Sequence, residues 1–289
     1  MAGKSERQRR IAREKHRRQQ ELRMARRRQR RKRGVIALSF ILGAALTASL
    51  LAVFLPSGSS KHPSASASKS PSATPSATTV AEPARHCTFT KSGTAARAVS
   101  LPSATPDYTA SYTATITTNL GKIAVNLENS KATCTVNSFV HLAEAGYFNN
   151  TQCHRLVTSG IYVLQCGDPY ATSSTKLTCS STGKIGTGTP GYEFASENLT
   201  GAKYPAGTVA MANEGTATTN GSQFFIVYKD STSGLGATYT PFGTVSSGLG
   251  IVQNVAKDGY SCQYTVSGQS EGGAPKEKVI IDSVTIKKT

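Results

Sequence analysis

Residues 112–127 read Tyr-Thr-Ala-Thr-Ile-Thr-Thr-Asn-Leu-Gly-Lys-Ile-Ala-Val-Asn-Leu, and the period of this stretch decides the fold class. Residues 112–118 alternate, Asn119-Leu120-Gly121 supplies a turn, and Ile123, Val125 and Leu127 alternate again with polar neighbours. A period of two on both sides of a turn predicts an antiparallel hairpin. Working outward, residues 135–145 place Val136, Phe139, Val140 and Ala143 on one stripe at helical spacing, with Gly146 as the stop signal. Downstream, short apolar runs at 160–168, 207–212, 222–228 and 240–245 are separated by Gly- and Ser/Thr-rich loops. A second helix is expected at 248–257 and a last strand at 278–286. Many short strands with two helices predict a mainly β domain, a closed barrel capped by helices, since closure removes exposed sheet edges.

The chain around this domain has a different composition. The 289 residues carry a net charge of +17, but residues 1–33 alone hold sixteen Lys/Arg and three Glu, so the basicity belongs to a tail. That distribution excludes a protein coated with nucleic acid over its folded surface, and no aromatic residue interleaves with the arginines to stack on bases. Residues 35–55 run without a charge between Arg33-Gly34 and Pro56, long enough for one transmembrane helix. A cleaved signal peptide is the rival reading, but such leaders have a short basic region, not 33 residues. The positive-inside bias puts the tail in the cytoplasm and everything after Pro56 outside. The tail is expected to lie against anionic lipid headgroups.

Residues 56–85 are Ser, Pro, Ala and Thr with few bulky apolar side chains, the composition of a disordered stalk. The predicted organisation is therefore a basic cytoplasmic tail at 1–34, a transmembrane helix at 35–55, a linker at 56–85 and an extracytoplasmic domain at 86–289. All six cysteines (Cys87, Cys134, Cys153, Cys166, Cys179 and Cys262) lie beyond the linker. An even number outside the cytoplasm points to a disulfide framework, which six cysteines allow in about 15 ways. The pairing expected here is Cys134 with Cys153, Cys87 with Cys166 and Cys179 with Cys262. A zinc site is disfavoured because no CxxC pair occurs and His86, His141 and His154 fall at no metal-ligand spacing.

Five strings inside the domain occur in a telling order: His154-Arg155-Leu156, Leu164-Gln165-Cys166-Gly167-Asp168-Pro169, Met211-Ala212-Asn213, Asn220-Gly221-Ser222-Gln223-Phe224-Phe225-Ile226 and Pro241-Phe242-Gly243. Together, over residues 112–286, they resemble the cyclophilin family of peptidyl-prolyl cis/trans isomerases. With the tail and anchor, the whole looks similar to membrane-attached actinobacterial cyclophilins.

The resemblance implies an eight-stranded cyclophilin-like barrel and an isomerase acting on proline-containing polypeptide clients outside the cytoplasm, with no cofactor and no metal. It implies that Arg155 is the catalytic cation and that Gln165 positions it. The proline slot maps onto Tyr162, Val163, Phe225 and Leu235, with Met211 and Phe224 nearby. Ala212, Asn213, Gln223 and Tyr239 complete the substrate-binding set, and Asp168 reads as structural. A non-catalytic proline-binding chaperone module is the alternative. A hydrolase using Ser222 and His154 is disfavoured because Ser222 lies in no nucleophile-elbow pattern.

Departures from the family pattern carry their own expectations. The chain has no Trp, and Gly234 or its neighbours stand where many members place one, so weak binding of cyclosporin-type macrocycles is expected. Tyr239 replaces a histidine, and Glu214 replaces a small residue. Two additional residues between Arg155 and Gln165 are expected to bulge at 157–161. Cys153 replaces an aromatic residue, in keeping with a local disulfide brace. The domain is expected to be monomeric.

Overall fold

In the computed structural model, residues 85–178, 184–266 and 269–289 are described, with the side chains of Cys262 and of residues 264–271 left out of that description. The basic tail, the apolar segment 35–55 and linker residues 56–84 lie outside the described residues, as does any Cys179–Cys262 pair. No helix among the described residues is long and apolar enough to cross a membrane.

The quoted stretch folds as read. Strand β2 (Tyr112–Thr118) pairs antiparallel with β3 (Gly121–Leu127), Ile116 facing Ile123 and Thr118 facing Gly121. Ala114, Ile116, Ile123, Val125 and Leu127 are buried on one face, as a period of two requires. The turn is closed by the Thr118 hydroxyl, which donates to Gly121 O at 2.7 Å and accepts from Leu120 N–H at 3.1 Å.

Eleven strands form one antiparallel sheet among the described residues. From edge to edge these are β11 (Tyr260–Val266), β12 (Gln269–Pro275), β5 (Arg155–Ser159), β6 (Ile161–Cys166), β9 (Phe224–Val227), β8 (Thr208–Met211), β10 (Pro241–Ser247), β3, β2, β13 (Ile280–Lys288) and β4 (Thr151–Gln152). No pairing joins the outermost strands β11 and β4 among the described residues, but β4 and β5 lie on one run of chain, 151–159, that meets β13 at one end and β6 at the other, so the sheet is strongly curled. The added edge is the β11–β12 hairpin. Its Gln-, Ser- and Gly-rich second strand carries no apolar alternation, yet Gly272 comes so near β5 that a Cβ there would sit 2.2 Å from Leu156 O. Close backbone approach explains a glycine strand that hydropathy does not show. A separate two-stranded sheet pairs β1 (Thr90–Lys91) with β7 (Tyr192–Glu193).

Helix α1 (Thr133–Glu144) starts two residues before the expected position. Its first turn has no local side-chain cap; the Glu197 carboxylate accepts Cys134 N–H at 3.1 Å and Thr135 N–H at 2.7 Å instead. An anion there satisfies orphan donors and meets the positive end of the helix dipole. The helix ends at Gly146 (φ 64°), and Tyr147 N–H returns to Leu142 O at 2.9 Å. Its buried stripe is Val136, Phe139, Leu142 and Ala143, with Val140 only half-buried. A short α2 (Thr232–Leu235) adds to the two helices expected, and α3 (Leu249–Asp258) matches the second of them.

The disulfides correct the expected pairing: Cys87 bonds Cys134 and Cys153 bonds Cys166. The reason is an N-terminal arm, residues 86–110, that lies along α1. Cys87 N–H donates to Ala104 O at 2.8 Å, and Arg97 Nη1 donates to the carbonyls of Gly146, Tyr147 and Asn149 at 2.8 to 2.9 Å. This brings Cys87 to the start of the helix and leaves Cys166 to its hairpin neighbour.

Two apolar clusters result. The larger lies between α1 and the sheet, centred on Phe139, Phe148, Phe224 and Phe242, whose rings pack at 5.2 to 5.7 Å. The smaller one, Val157, Val163, Tyr204, Ala210, Phe225 and Val227, lies on the opposite face of β5, β6, β8 and β9.

Candidate active site

Arg155 is the first residue of β5 and faces Gln165 across the hairpin. Residues directly opposite in an antiparallel pair share a face, and Arg155 Nη1 donates to Gln165 Oε1 at 2.9 Å. The amide of Gln165 passes the order on: its Nε2 donates to Gln223 Oε1 at 2.9 Å, and Gln223 Nε2 donates to Gly186 O and Gly188 O, each at 3.1 Å.

The far end of this chain is fixed by Asp168. Its carboxylate is fully buried and accepts the N–H groups of Tyr170 and Gly186. Burial raises the Asp168 pKa, and the backbone N–H groups around it partly offset the rise. Gly188 has no alternative here, because a Cβ would lie 1.9 Å from Asp168 Oδ1.

Beside the guanidinium is a cavity of about 410 Å³ lined by Arg155, Ile161, Val163, Gln165, Ala212, Asn213, Phe225, Leu235 and Tyr239. The apolar wall comes from the smaller cluster. Phe225 and Tyr239 meet edge to face with centroids 5.5 Å apart. The Tyr239 main chain is held by the Tyr204 hydroxyl, which donates to Tyr239 O at 2.7 Å; burial raises the Tyr204 pKa and keeps it a neutral donor. The Asn213 side chain is engaged locally, donating to Thr238 O and accepting Gly215 N–H, so its main chain is what it offers the cavity. A second cavity, about 440 Å³, adjoins the first; it shares Gln165, Ala212 and Asn213 and adds Gln223 and Glu214. The structure therefore brings together Arg155, Gln165, Val163, Ala212, Asn213, Phe225, Leu235 and Tyr239, with Gln223 next door.

Two expected site residues fall elsewhere. Met211 is buried in the large cluster, on the opposite face of β8 from Ala210. Tyr162 also faces away, its ring edge-on to Tyr228 at 6.0 Å and under Lys229 Nζ at 4.5 Å. Ile161 takes its place in the cavity. Strand alternation is the signal that finds it, since 161, 163 and 165 share a face and 162 does not.

The expected bulge at 157–161 is absent as well. The added residues lengthen the hairpin in regular register to Ser159 opposite Ile161, with Gly160 (φ 76°) at the tip. This tip explains Gly234: a Cβ there would lie 2.5 Å from Gly160 O and 2.6 Å from Ile161 Cγ2, leaving no room for a side chain. Ser222, named in the hydrolase reading, is 2% exposed and donates to Gly167 O at 2.8 Å, the role of a turn clasp. No cluster of three or more metal-ligating side chains occurs among the described residues.

The family model for cyclophilin type peptidyl-prolyl cis-trans isomerases matches residues 113–286. A probable peptidyl-prolyl cis-trans isomerase B of Mycobacterium leprae is 39% identical over 218 residues, covering 70% of this chain and 66% of its own. The protein of the same name in Mycobacterium tuberculosis is 44% identical over 183 residues, 58% of this chain and 52% of its own. The chain thus spans between half and two thirds of the length of these mycobacterial relatives. A peptidyl-prolyl cis-trans isomerase-like 1 protein of Emericella nidulans is 37% identical over 142 residues, 49% of this chain and 79% of its own. With more than half of its length under one family model, the chain belongs to the cyclophilin-type peptidyl-prolyl cis-trans isomerase family.

Proposed function

We propose that residues 86–289 catalyse cis/trans isomerisation of X-Pro bonds, with Arg155 as the catalytic residue. The barrier to be lowered is about 18 to 20 kcal/mol and comes from amide resonance. No covalent bond breaks, so a catalyst has only to bind the twisted amide better than either planar form. On twisting, the proline nitrogen becomes pyramidal and regains a lone pair. A guanidinium aimed there is always charged, and it stabilises only that state.

The observation that carries this reading is that Arg155 shares one cavity with an apolar wall of Val163, Phe225 and Leu235. The wall holds proline, Gln165 orients the cation, and the Asn213 main chain is placed to bind the peptide before proline.

The test is a rate measurement on a proline tetrapeptide with the full chain purified in detergent. Arg155→Ala is expected to lower kcat/KM by about 100-fold, the usual loss for one transition-state donor, with circular dichroism unchanged. Peptide binding without turnover by the wild type would instead favour the non-catalytic module, and a rate indifferent to Arg155→Ala would remove the arginine from the mechanism.

The clients are secreted or cell-surface proteins in this reading. Two disulfides among the described residues suit an oxidising compartment. The apolar run at 35–55 supplies a membrane anchor, and the basic tail a contact with anionic lipid. Macrocycles of the cyclosporin type bind weakly, because the Gly160–Ile161 tip fills the space above Gly234.

A further inference from the structure

Cys153 and Cys166 flank the catalytic pair. Cys153 lies two residues before Arg155, Cys166 follows Gln165, and their bond crosses the hairpin diagonally just outside the Arg155–Gln165 rung. That rung is the last of the β5–β6 ladder. Beyond it the chains separate: Cys153 N–H turns to Val279 O at 3.0 Å, and Gly167 enters a loop with φ 88°. Arg155 therefore sits where the run 151–159 passes from pairing with β6 to pairing with β13. On its other edge β5 is paired with β12 at Leu156. Just outside the rung, His154 N–H donates to Gln165 O at 3.0 Å. By contrast β6 is held on its far side by β9, with Cys166 opposite Phe224.

We infer that the Cys153–Cys166 disulfide is a positioning bond for the reaction, mooring the Arg155 backbone to the strand that carries Gln165. The inference rests on the isomerase reading given above and assigns to these cysteines a role that Cys87–Cys134 does not have. Cys87–Cys134 fastens the N-terminal arm to α1, and neither of its cysteines adjoins Arg155 or Gln165 in the chain, whereas Cys166 follows Gln165 directly and Cys153 lies two residues before Arg155. Both sulfurs of the hairpin bond belong to buried residues, 3% and 1% exposed, which makes it a permanent brace and not a site of rapid thiol exchange. Once the brace is gone, the guanidinium samples positions off the imide nitrogen while the apolar wall on β6, β9 and α2 stays as it was. Displacements of about 1 Å at a catalytic group cost up to about 100-fold in rate. The loss therefore falls on kcat and spares KM.

The experiment compares two paired variants of the full chain, Cys153→Ala/Cys166→Ala and Cys87→Ala/Cys134→Ala, by kcat, KM, thermal midpoint and hydrogen exchange at the His154 amide. The first pair is expected to lower kcat by about tenfold or more, leave KM within about twofold and speed exchange at His154. The second pair lowers the thermal midpoint and leaves kcat as in the wild type. An active wild type whose kcat survives the first substitution overturns the inference alone, as does an equal fall in kcat for both pairs. A wild type without isomerase activity overturns the functional reading and this inference with it. Should the first variant not fold, Cys153→Val/Cys166→Val, which refills the volume of the two sulfurs, is read against the same criteria.

Discussion

On the inner face of β6, β8 and β9, Leu164, Val209, Met211, Phe224 and Ile226 pack into the large cluster with α1. On the outer face, Val163, Ala210, Phe225 and Val227 meet Val157, Tyr204 and partly buried residues such as Ile161, Leu235 and Tyr239, and an open cavity remains. Neighbours in the chain thus part company: Phe224 with Phe225, Leu164 with Val163, Met211 with Ala210. The contrast shows how a four-residue strand buried on both sides can serve stability with one set of side chains and recognition with the other. An inner position is surrounded and leaves a void when emptied. An outer one borders space that is already there.

The sharpest way to break this comparison is to truncate the two phenylalanines. Phe224→Ala removes a ring that touches Phe139 and Phe148 edge to face, at 5.5 and 5.7 Å, and should cost about 3 to 5 kcal/mol of stability in urea unfolding. Phe225→Ala should cost markedly less, because the cavity already borders the ring, and should instead raise KM for proline peptides by about tenfold, the equivalent of burying roughly two methylene groups. Equal destabilisation by the two variants would show that the outer cluster is core like the inner one.

The next pair is His154 and Arg155. His154 is fully enclosed, and burial, with Arg155 adding a smaller effect, lowers its pKa from 6.5 to about 4. The unfolded chain therefore takes up a proton before the folded one as the pH falls. Stability from this group is complete above about pH 6.5 and is lost progressively toward pH 4, roughly 3 kcal/mol in all. Asp168, whose pKa burial raises, contributes with the opposite sign. The histidine's share is accordingly read as the difference in urea midpoint against pH between wild type and His154→Gln. Parallel curves between pH 7 and 4 would mean that the imidazole is not enclosed in the folded chain.

Local period carried much of this fold. The hairpin at 112–127, α3 and β13 lie within two residues of where alternation and helical spacing put them, because each is set by its own stretch of chain. What sequence reading missed depends on partners far away in the chain. Helix α1 begins at Thr133 because Glu197 supplies its cap. The β11–β12 hairpin exists because glycines fit against Leu156, and the disulfides follow an arm whose path no local signal marks. In the site, family strings located Arg155, Gln165 and Phe225, yet positions carried over by resemblance ignore which face a residue takes. Tyr162 and Met211 were misplaced for that reason, and the parity of Val163 and Gln165 was the available correction.

Gln223 tests the comparison most finely, because it stands on the outer face immediately before Phe224 and reaches the cavity of Arg155 only through another side chain. It accepts from Gln165 and donates to Gly186 O and Gly188 O, so it transmits the position of a loop clamped by Asp168 to the amide that holds the guanidinium. Gln223→Ala frees Gln165 Nε2 at a site open to water, and one such hydrogen bond is worth about 1 kcal/mol. The expected result is a fall in kcat of about fivefold with a thermal midpoint close to that of the wild type. If the midpoint falls while kcat holds, Gln223 belongs functionally with Phe224 on the stabilising side of the sheet, and the division between the two faces is not as clean as their side-chain directions imply.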